Sequence, residues 1–193
     1  MEDIFLSVLT WRSGAYEIGV LGSCVLFGVL TAQCYVYFTR FPDDSAKIKA
    51  LVGFVWLCET ADAICITAAL YSYTVMWYGD PESLLRTPST LATSIFFHGV
   101  ISCSVQGFFA FRIYIVSKKL YIPCVCWMLG FLRFLGDTGL FATGLRTTLL
   151  NSYYAQQGWL ITATWSLSVA NDVLIAVTLA SLLYRQRSIA HTR

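Results

Sequence analysis

The sequence is poor in charge. Only 12% of its 193 residues are Asp, Glu, Lys or Arg, whereas soluble domains carry about 25%. Thirteen basic and eleven acidic residues are too few to cover a soluble domain of this length. The net charge of +2 offers no basic patch for nucleic acid, so we expect no nucleic-acid partner. The composition therefore predicts a protein whose solvent is the lipid bilayer.

Features typical of secreted, metal-binding and catalytic proteins are also missing. The seven cysteines lie in apolar runs, and their odd number favours packing residues over a disulfide framework. Cys124 and Cys126 do not have the spacing of a zinc pair, and the chain has only two histidines. No P-loop, H-E-x-x-H or G-x-S-x-G motif is present. We therefore expect no catalytic residues, no metal and no cofactor.

Five apolar stretches are long enough to cross the hydrocarbon core as helices, which takes about 20 residues each. They cover about 16–38, 50–73, 91–116, 120–142 and 159–184. Turn residues separate them at 41–44, 79–82, 118–119 and 144–158. The pattern predicts an all-α, polytopic transmembrane bundle forming a single domain over 1–193. An extracellular tail at 1–15 and a cytoplasmic tail at 185–193 complete it. We find no signal peptide, so the first span is expected to act as its own targeting signal.

Basic residues are unequally divided between the two sides of the predicted bundle. Nine share one side: Arg40, Lys47, Lys49, Arg112, Lys118, Lys119, Arg185, Arg187 and Arg193. Three lie on the other: Arg12, Arg86 and Arg146. The positive-inside rule then predicts an outside N-terminus and a cytoplasmic C-terminus. Four of the cytoplasmic residues, Lys118, Lys119, Arg185 and Arg187, are candidates for contact with anionic lipid or a partner.

Polar residues within the spans require a structural or functional explanation. Ionisable groups at membrane depth are costly unless they are paired, neutralised or in contact with water. On the third span, Ser94, His98, Ser102 and Gln106 recur every four residues and form one polar stripe. Depths estimated from the helical rise predict two layers. The outer layer, a candidate ligand site, contains His98, Arg133 and Asp137. The inner layer contains Glu59, Asp62, Gln106, Asn171 and Asp172.

Each layer has two interpretations. The three inner carboxyls face no Lys or Arg from within the bundle, and burial favours their neutral form, so a bound proton or cation is one hypothesis. The other is that the same groups only link helices by hydrogen bonds. In the outer layer, Arg133 and Asp137 have the spacing of an intrahelical ion pair. The outer layer therefore either binds a ligand or simply joins helices.

Small residues indicate where helices approach closely. They form two stripes, Cys24, Gly28 and Ala32 on the first span and Gly130, Gly136 and Gly139 on the fourth. Such stripes serve packing within one chain or association between copies. The sequence leaves both open, including a homo-oligomer.

Several motifs along the chain closely resemble one family. They are the segments at 26–33, 40–44, 55–60, 78–81, 106–113 and 172–176, which read LFGVLTAQ, RFPDD, VWLCET, YGDP, QGFFAFRI and DVLIA. They are similar to fungal, largely basidiomycete, multispan membrane proteins of uncharacterised function, over nearly the whole chain. The resemblance implies a membrane location and an outside N-terminus. It also implies a seven-span architecture, of which this sequence resembles the first five spans.

Three functions follow as hypotheses from these patterns. The favoured one is a non-enzymatic, receptor-like or sensory bundle whose polar layers hold a small ligand. The alternatives are a proton- or ion-coupled transporter and a structural subunit or truncated seven-span protein.

Overall fold

A computed structural model of the chain describes residues 2–76, 88–118, 120–146 and 150–191. Every regular element in these ranges is helical: α1 (Glu2–Arg40), α2 (Ala46–Tyr71), α3 (Ser89–Ser117), α4 (Tyr121–Arg146) and α5 (Leu150–His191). A π-helical turn, Ser72–Met76, continues α2. Each of the five contains a segment long and apolar enough to cross a membrane. The prediction of an all-helical chain with five candidate spans is confirmed.

Some predicted features lie outside the described residues. These are the turn at 79–82, Arg86, Lys119 and Arg193, and the side chains of Arg12, Arg185 and Arg187.

The helices extend beyond the predicted spans. Residues 2–15, predicted as a tail, continue α1, and α5 begins at Leu150, inside the break predicted at 144–158. It also runs on to His191, through most of the predicted C-terminal tail. Polar residues end an apolar segment without ending a helix, and none of these stretches contains the proline that would stop one. Pro88, by contrast, immediately precedes α3, and Pro123 lies in the first turn of α4, where its missing N–H is tolerated.

The first helix packs mainly against α2. Two polar contacts join them: Trp56 Nε1 donates to Thr31 Oγ1 over 3.2 Å, and the Tyr16 hydroxyl donates to the Ile66 carbonyl over 3.4 Å. The connection at 41–45 is held at its base, because the Tyr37 hydroxyl donates to Asp44 Oδ2 over 2.7 Å. A short connection of this kind places α1 and α2 antiparallel and adjacent.

The third helix is central, since it packs against α2, α4 and α5. It ends at Lys118, which adopts a left-handed conformation with φ 53° and donates its N–H to the Tyr114 carbonyl over 2.8 Å. This tight turn sets the register of α3 against α4. Gly99 contacts Asp137, nineteen residues to either side of Lys118, and Gln106 contacts Gly130, twelve to either side.

The exterior of the bundle is strongly apolar, and its interior contains polar as well as apolar residues. Large apolar side chains face outward all round the bundle, including Leu26, Trp127, Phe131, Trp165 and Val173. The buried polar and charged residues are Asp62, Ser94, Gln106, Arg133, Asp137, Thr164, Asn171 and Thr178. An apolar exterior with polar groups buried inside matches a lipid environment, because hydrocarbon solvates apolar side chains and offers no hydrogen bonds to polar ones.

The two small-residue stripes have different surroundings. A Cβ added at Gly136 would collide with the Thr164 methyl group, and one added at Gly139 would be 3.8 Å from Leu160 Cδ2. Gly136 and Gly139 therefore lie on the face that packs against α5, whereas Gly130 lies between Gln106 of α3 and Asn171 of α5. On α1, Cys24, Gly28 and Ala32 are exposed, and a Cβ at Gly28 would meet no described atom within 4 Å.

Candidate functional site: two polar layers

The outer layer begins with an ion pair on α4. Arg133 and Asp137 lie one turn apart, with Nε and Oδ2 separated by 3.6 Å, and only 7% and 6% of these residues is exposed. Arg133 Nη2 lies 3.2 Å from His98 Nδ1 on α3. A guanidinium group only donates, so Nδ1 is the acceptor in this contact. The structure thus brings His98, Arg133 and Asp137 together across the interface between α3 and α4.

Gly99 allows this close approach. A Cβ at Gly99 would lie 3.0 Å from Asp137 Cβ and 3.3 Å from its Oδ2. The absence of a side chain on α3 therefore makes room for the carboxyl group of α4. His98, the residue before Gly99, is exposed, so part of the outer layer is not covered by the described residues.

Asp62 joins the outer layer, whereas the sequence places it in the inner one. Its carboxyl accepts a hydrogen bond from Ser94 and lies close enough to His98 to interact electrostatically. Depths estimated from the rise per residue could have predicted that Asp62 belongs to the outer layer. Asp62 is about 18 Å from the cytoplasmic start of its predicted span, and His98 is about 10 Å from the outer start of its own. In a core about 30 Å thick these depths nearly coincide. Ser94 belongs to the outer layer, although neither predicted layer includes it.

The outer layer contains buried polar atoms that lack partners. Among the described residues, Asp62 Oδ1, Asp137 Oδ2 and Arg133 Nε have no hydrogen bond. The 3.6 Å separation of Arg133 Nε and Asp137 Oδ2 leaves these two atoms as an ion pair too long for a hydrogen bond. Two acceptors and one donor are therefore open.

The inner layer joins α3, α4 and α5. Gln106 Nε2 donates to Asp172 Oδ1 over 3.3 Å, and the Ser168 hydroxyl donates to Asp172 Oδ2 over 3.4 Å. Asn171 Nδ2 donates to the Cys126 carbonyl of α4 over 3.3 Å. The structure therefore brings Gln106, Asn171 and Asp172 together. Ser168, one helical turn before Asp172, is an additional member that the sequence-based prediction missed.

Both inner amides have a buried, unpartnered oxygen. Gln106 is 5% exposed and Asn171 is 1% exposed. Their NH2 groups are used in the bonds above, while Gln106 Oε1 and Asn171 Oδ1 have no hydrogen-bond partner among the described residues. Gly130 on α4 accommodates them, since a Cβ there would lie 2.8 Å from Gln106 Oε1 and 3.8 Å from Asn171 Nδ2.

Glu59 lies apart from the rest of the inner layer. It is half-buried on α2, and it lies close enough to Asp62, one turn further along the same helix, to interact electrostatically. Within the described ranges, no hydrogen bond or ion pair joins Glu59 to Asp172. Asp172 is exposed at the surface of α5, so the described chain does not fully cover its carboxyl group.

These features define a class of protein. Five helices of sufficient length and apolarity, with polar residues turned inward, indicate a multi-pass membrane protein. Comparison with family models, curated proteins and solved structures gave no match. The described residues also contain no group of three His, Cys, Asp or Glu side chains arranged to hold a metal ion. The functional argument therefore depends on the two polar layers.

Proposed function

We propose that this chain is a non-enzymatic, receptor-like membrane protein, similar to the fungal multispan family, that senses a small polar ligand at its outer layer. The observation that carries the proposal is the set of open atoms on three buried side chains, Asp62, Arg133 and Asp137. Leaving a buried polar group without a hydrogen bond costs about 1 to 3 kcal/mol. This cost applies in full to Asp62 Oδ1, whereas Arg133 Nε and Asp137 Oδ2 already attract each other as an ion pair. A ligand that forms hydrogen bonds with all three atoms would gain part of its binding free energy from these bonds.

The chemistry of the open atoms defines the ligand class. Two carboxylate oxygens require hydrogen-bond donors and Arg133 Nε requires an acceptor, which fits a small molecule with an ammonium group and a carboxylate or hydroxyl group. Because the atoms belong to α2 and α4, and His98 on α3 lies beside them, a bound ligand contacts three helices. A ligand that binds one packing of these helices more tightly than another shifts the population towards it, as a sensor requires.

The proposed orientation places the N-terminus outside, because most basic residues lie at the opposite ends of the helices. Glycosylation acceptor sequences added to either terminus of the full chain test it. We expect modification at the N-terminus alone. Modification at the C-terminus, or at both ends, contradicts the orientation.

Access to the outer layer from outside is tested by cysteine labelling. His98→Cys is expected to react with a membrane-impermeant thiol reagent added to intact cells, above the background from the natural cysteines. Leu132→Cys is the matched control, because Leu132 is exposed on α4 at about the same depth and faces lipid in this proposal. Equal labelling of the two variants argues against a water-accessible outer site.

Ligand binding is tested on the purified chain by thermal shift with a panel of amino acids, amines and amino alcohols. We expect at least one compound to raise the melting temperature, and Asp62→Asn to abolish the rise. Ser104→Ala is the control, since that hydroxyl bonds the Val100 carbonyl of its own helix over 2.8 Å. A panel without effect, or an unchanged response in Asp62→Asn, opposes the proposal and favours helix linking.

Proton- or ion-coupled transport is the second candidate function. Its supporting observation is that Asp172 forms no salt bridge with any cationic side chain of the described residues. The test is pH-dependent or cation-dependent flux in vesicles reconstituted with the full chain. Glu59→Gln and Asp172→Asn are expected to change that flux, and an unchanged flux rejects the transport role.

A further inference from the structure

We propose that the inner layer is a binding site for a monovalent cation, best matched by Na⁺, held by Gln106, Asn171 and Asp172. The site deepens the ion hypothesis, but it does not depend on transport or on a ligand in the outer layer. A cation that binds and stays would stabilise the packing of α3, α4 and α5 in a sensor as well as in a transporter.

The donor atoms are all oxygens suited to a hard cation. Gln106 and Asn171 each commit the NH2 group to another acceptor and leave the carbonyl oxygen buried and unpartnered. The Asp172 carboxylate lies beside Gln106, at 3.3 Å from its Nε2. Amide, carboxylate and hydroxyl oxygens, here including Ser168, are the groups that coordinate hard cations in proteins.

Gly130 provides the space on the α4 side. Any larger residue would place a carbon 2.8 Å from Gln106 Oε1 and displace the amide. Gly130 therefore allows the amide of Gln106 to lie directly against the backbone of α4, close to Asn171. This arrangement keeps the two unpartnered oxygens buried, whereas the neighbouring residue Asp172 is exposed on α5.

Charge favours a monovalent ion over a divalent one. The layer has one carboxylate, Asp172, and no described cationic side chain pairs with it. Glu59 is the other acidic residue assigned to this depth, but no hydrogen bond joins it to these groups within the described chain. A single positive charge neutralises the site, whereas a divalent ion would leave an excess charge in a medium of low dielectric constant, which is costly.

The test compares NaCl with choline chloride at constant ionic strength, using the purified full chain in detergent and its melting temperature. We expect a saturable rise with Na⁺ of about 3 to 6 °C at ten times the dissociation constant. Asp172→Asn should lose the rise. Asp44→Asn should keep it, because Asp44 lies in the exposed connection between α1 and α2. Equal effects of the two salts on the wild-type chain overturn the proposal.

A second variant covers the case in which Asp172→Asn does not fold. Gln106→Glu keeps the shape of the side chain and adds a second carboxylate, so the preference should change from Na⁺ to Ca²⁺. Broadening of the ²³Na resonance by the wild-type chain, reversed by excess Li⁺, gives a direct measure of binding. If Asp172 instead holds only a proton, stability will depend on pH and not on Na⁺, which refutes the cation site. Absence of flux with retained Na⁺ stabilisation refutes transport alone.

Discussion

Gly136 on α4 provides a sharp test of the packing between α4 and α5. Replacing it with alanine puts a Cβ into the space of the Thr164 methyl group. That methyl group cannot turn away easily, because Thr164 is β-branched, is 2% exposed and donates its hydroxyl to the Ile161 carbonyl over 2.9 Å. Gly139→Ala is the matched control, since its Cβ would make an ordinary contact of 3.8 Å with Leu160.

The expected magnitudes follow from two opposing effects. Alanine favours a helix over glycine by about 1 kcal/mol at either position. Overpacking at Gly136 costs about 1 to 3 kcal/mol, whereas Gly139→Ala has no such cost. The free energy of unfolding of Gly136→Ala should therefore be lower than that of Gly139→Ala by about 1 to 3 kcal/mol. Unfolding by SDS in mixed micelles, followed by circular dichroism, measures both.

A double-mutant cycle separates this clash from other causes. Thr164→Ser removes the methyl group and keeps the hydroxyl, so alone it should destabilise by about 1 kcal/mol. In the Gly136→Ala background it should instead restore stability, with a coupling energy of about 1 to 2 kcal/mol. Additive effects, or equal stability of the two alanine variants, would refute the close approach of α4 and α5 at this point.

Two further stability predictions concern the polar layers. Arg133→Met leaves the Asp137 carboxyl without its cation and should lower the free energy of unfolding by about 3 to 5 kcal/mol in the same SDS assay. Adding Asp137→Asn should restore part of this loss. A double variant no more stable than Arg133→Met contradicts the pairing. Asn171→Ala breaks the bond to the Cys126 carbonyl and should cost about 0.5 to 2 kcal/mol. Thr162→Ala, which changes an exposed hydroxyl, should stay within about 0.5 kcal/mol of wild type, and equal losses would remove the case for the Asn171 bond.

Hydropathy was sufficient to predict which segments are long and apolar enough to span a membrane, but not where each helix begins and ends. A membrane span ends at the edge of the hydrocarbon core, and polar side chains, such as those before Trp159 at the start of the fifth span, indicate that edge. The helix continues through them because backbone hydrogen bonding needs only the absence of a breaker. The five spans were therefore predictable, whereas the first turn of α5, at Leu150, was not.

The polar layers were predictable only in part. Spacing along one helix correctly pairs Arg133 with Asp137, whose ion pair the structure contains. Spacing also led to grouping Asp62 with Glu59, its neighbour one turn away, although depth in the membrane relates it to His98. The exposure of Asp172 and the open oxygens of Gln106 and Asn171 depend on how three helices meet. Neither periodicity nor composition contains that information.

The turn at Lys118 has a mechanical consequence. The outer contact at Gly99 and the inner contact at Gln106 are both symmetric about this one residue. The two layers therefore lie at fixed positions along the same pair of helices. Any force that slides α3 along α4 at one membrane face must displace the partners near the other by the same amount. In the proposed sensor, a ligand that shifts α3 at the outer layer is therefore expected to move Gln106 in the inner layer as well.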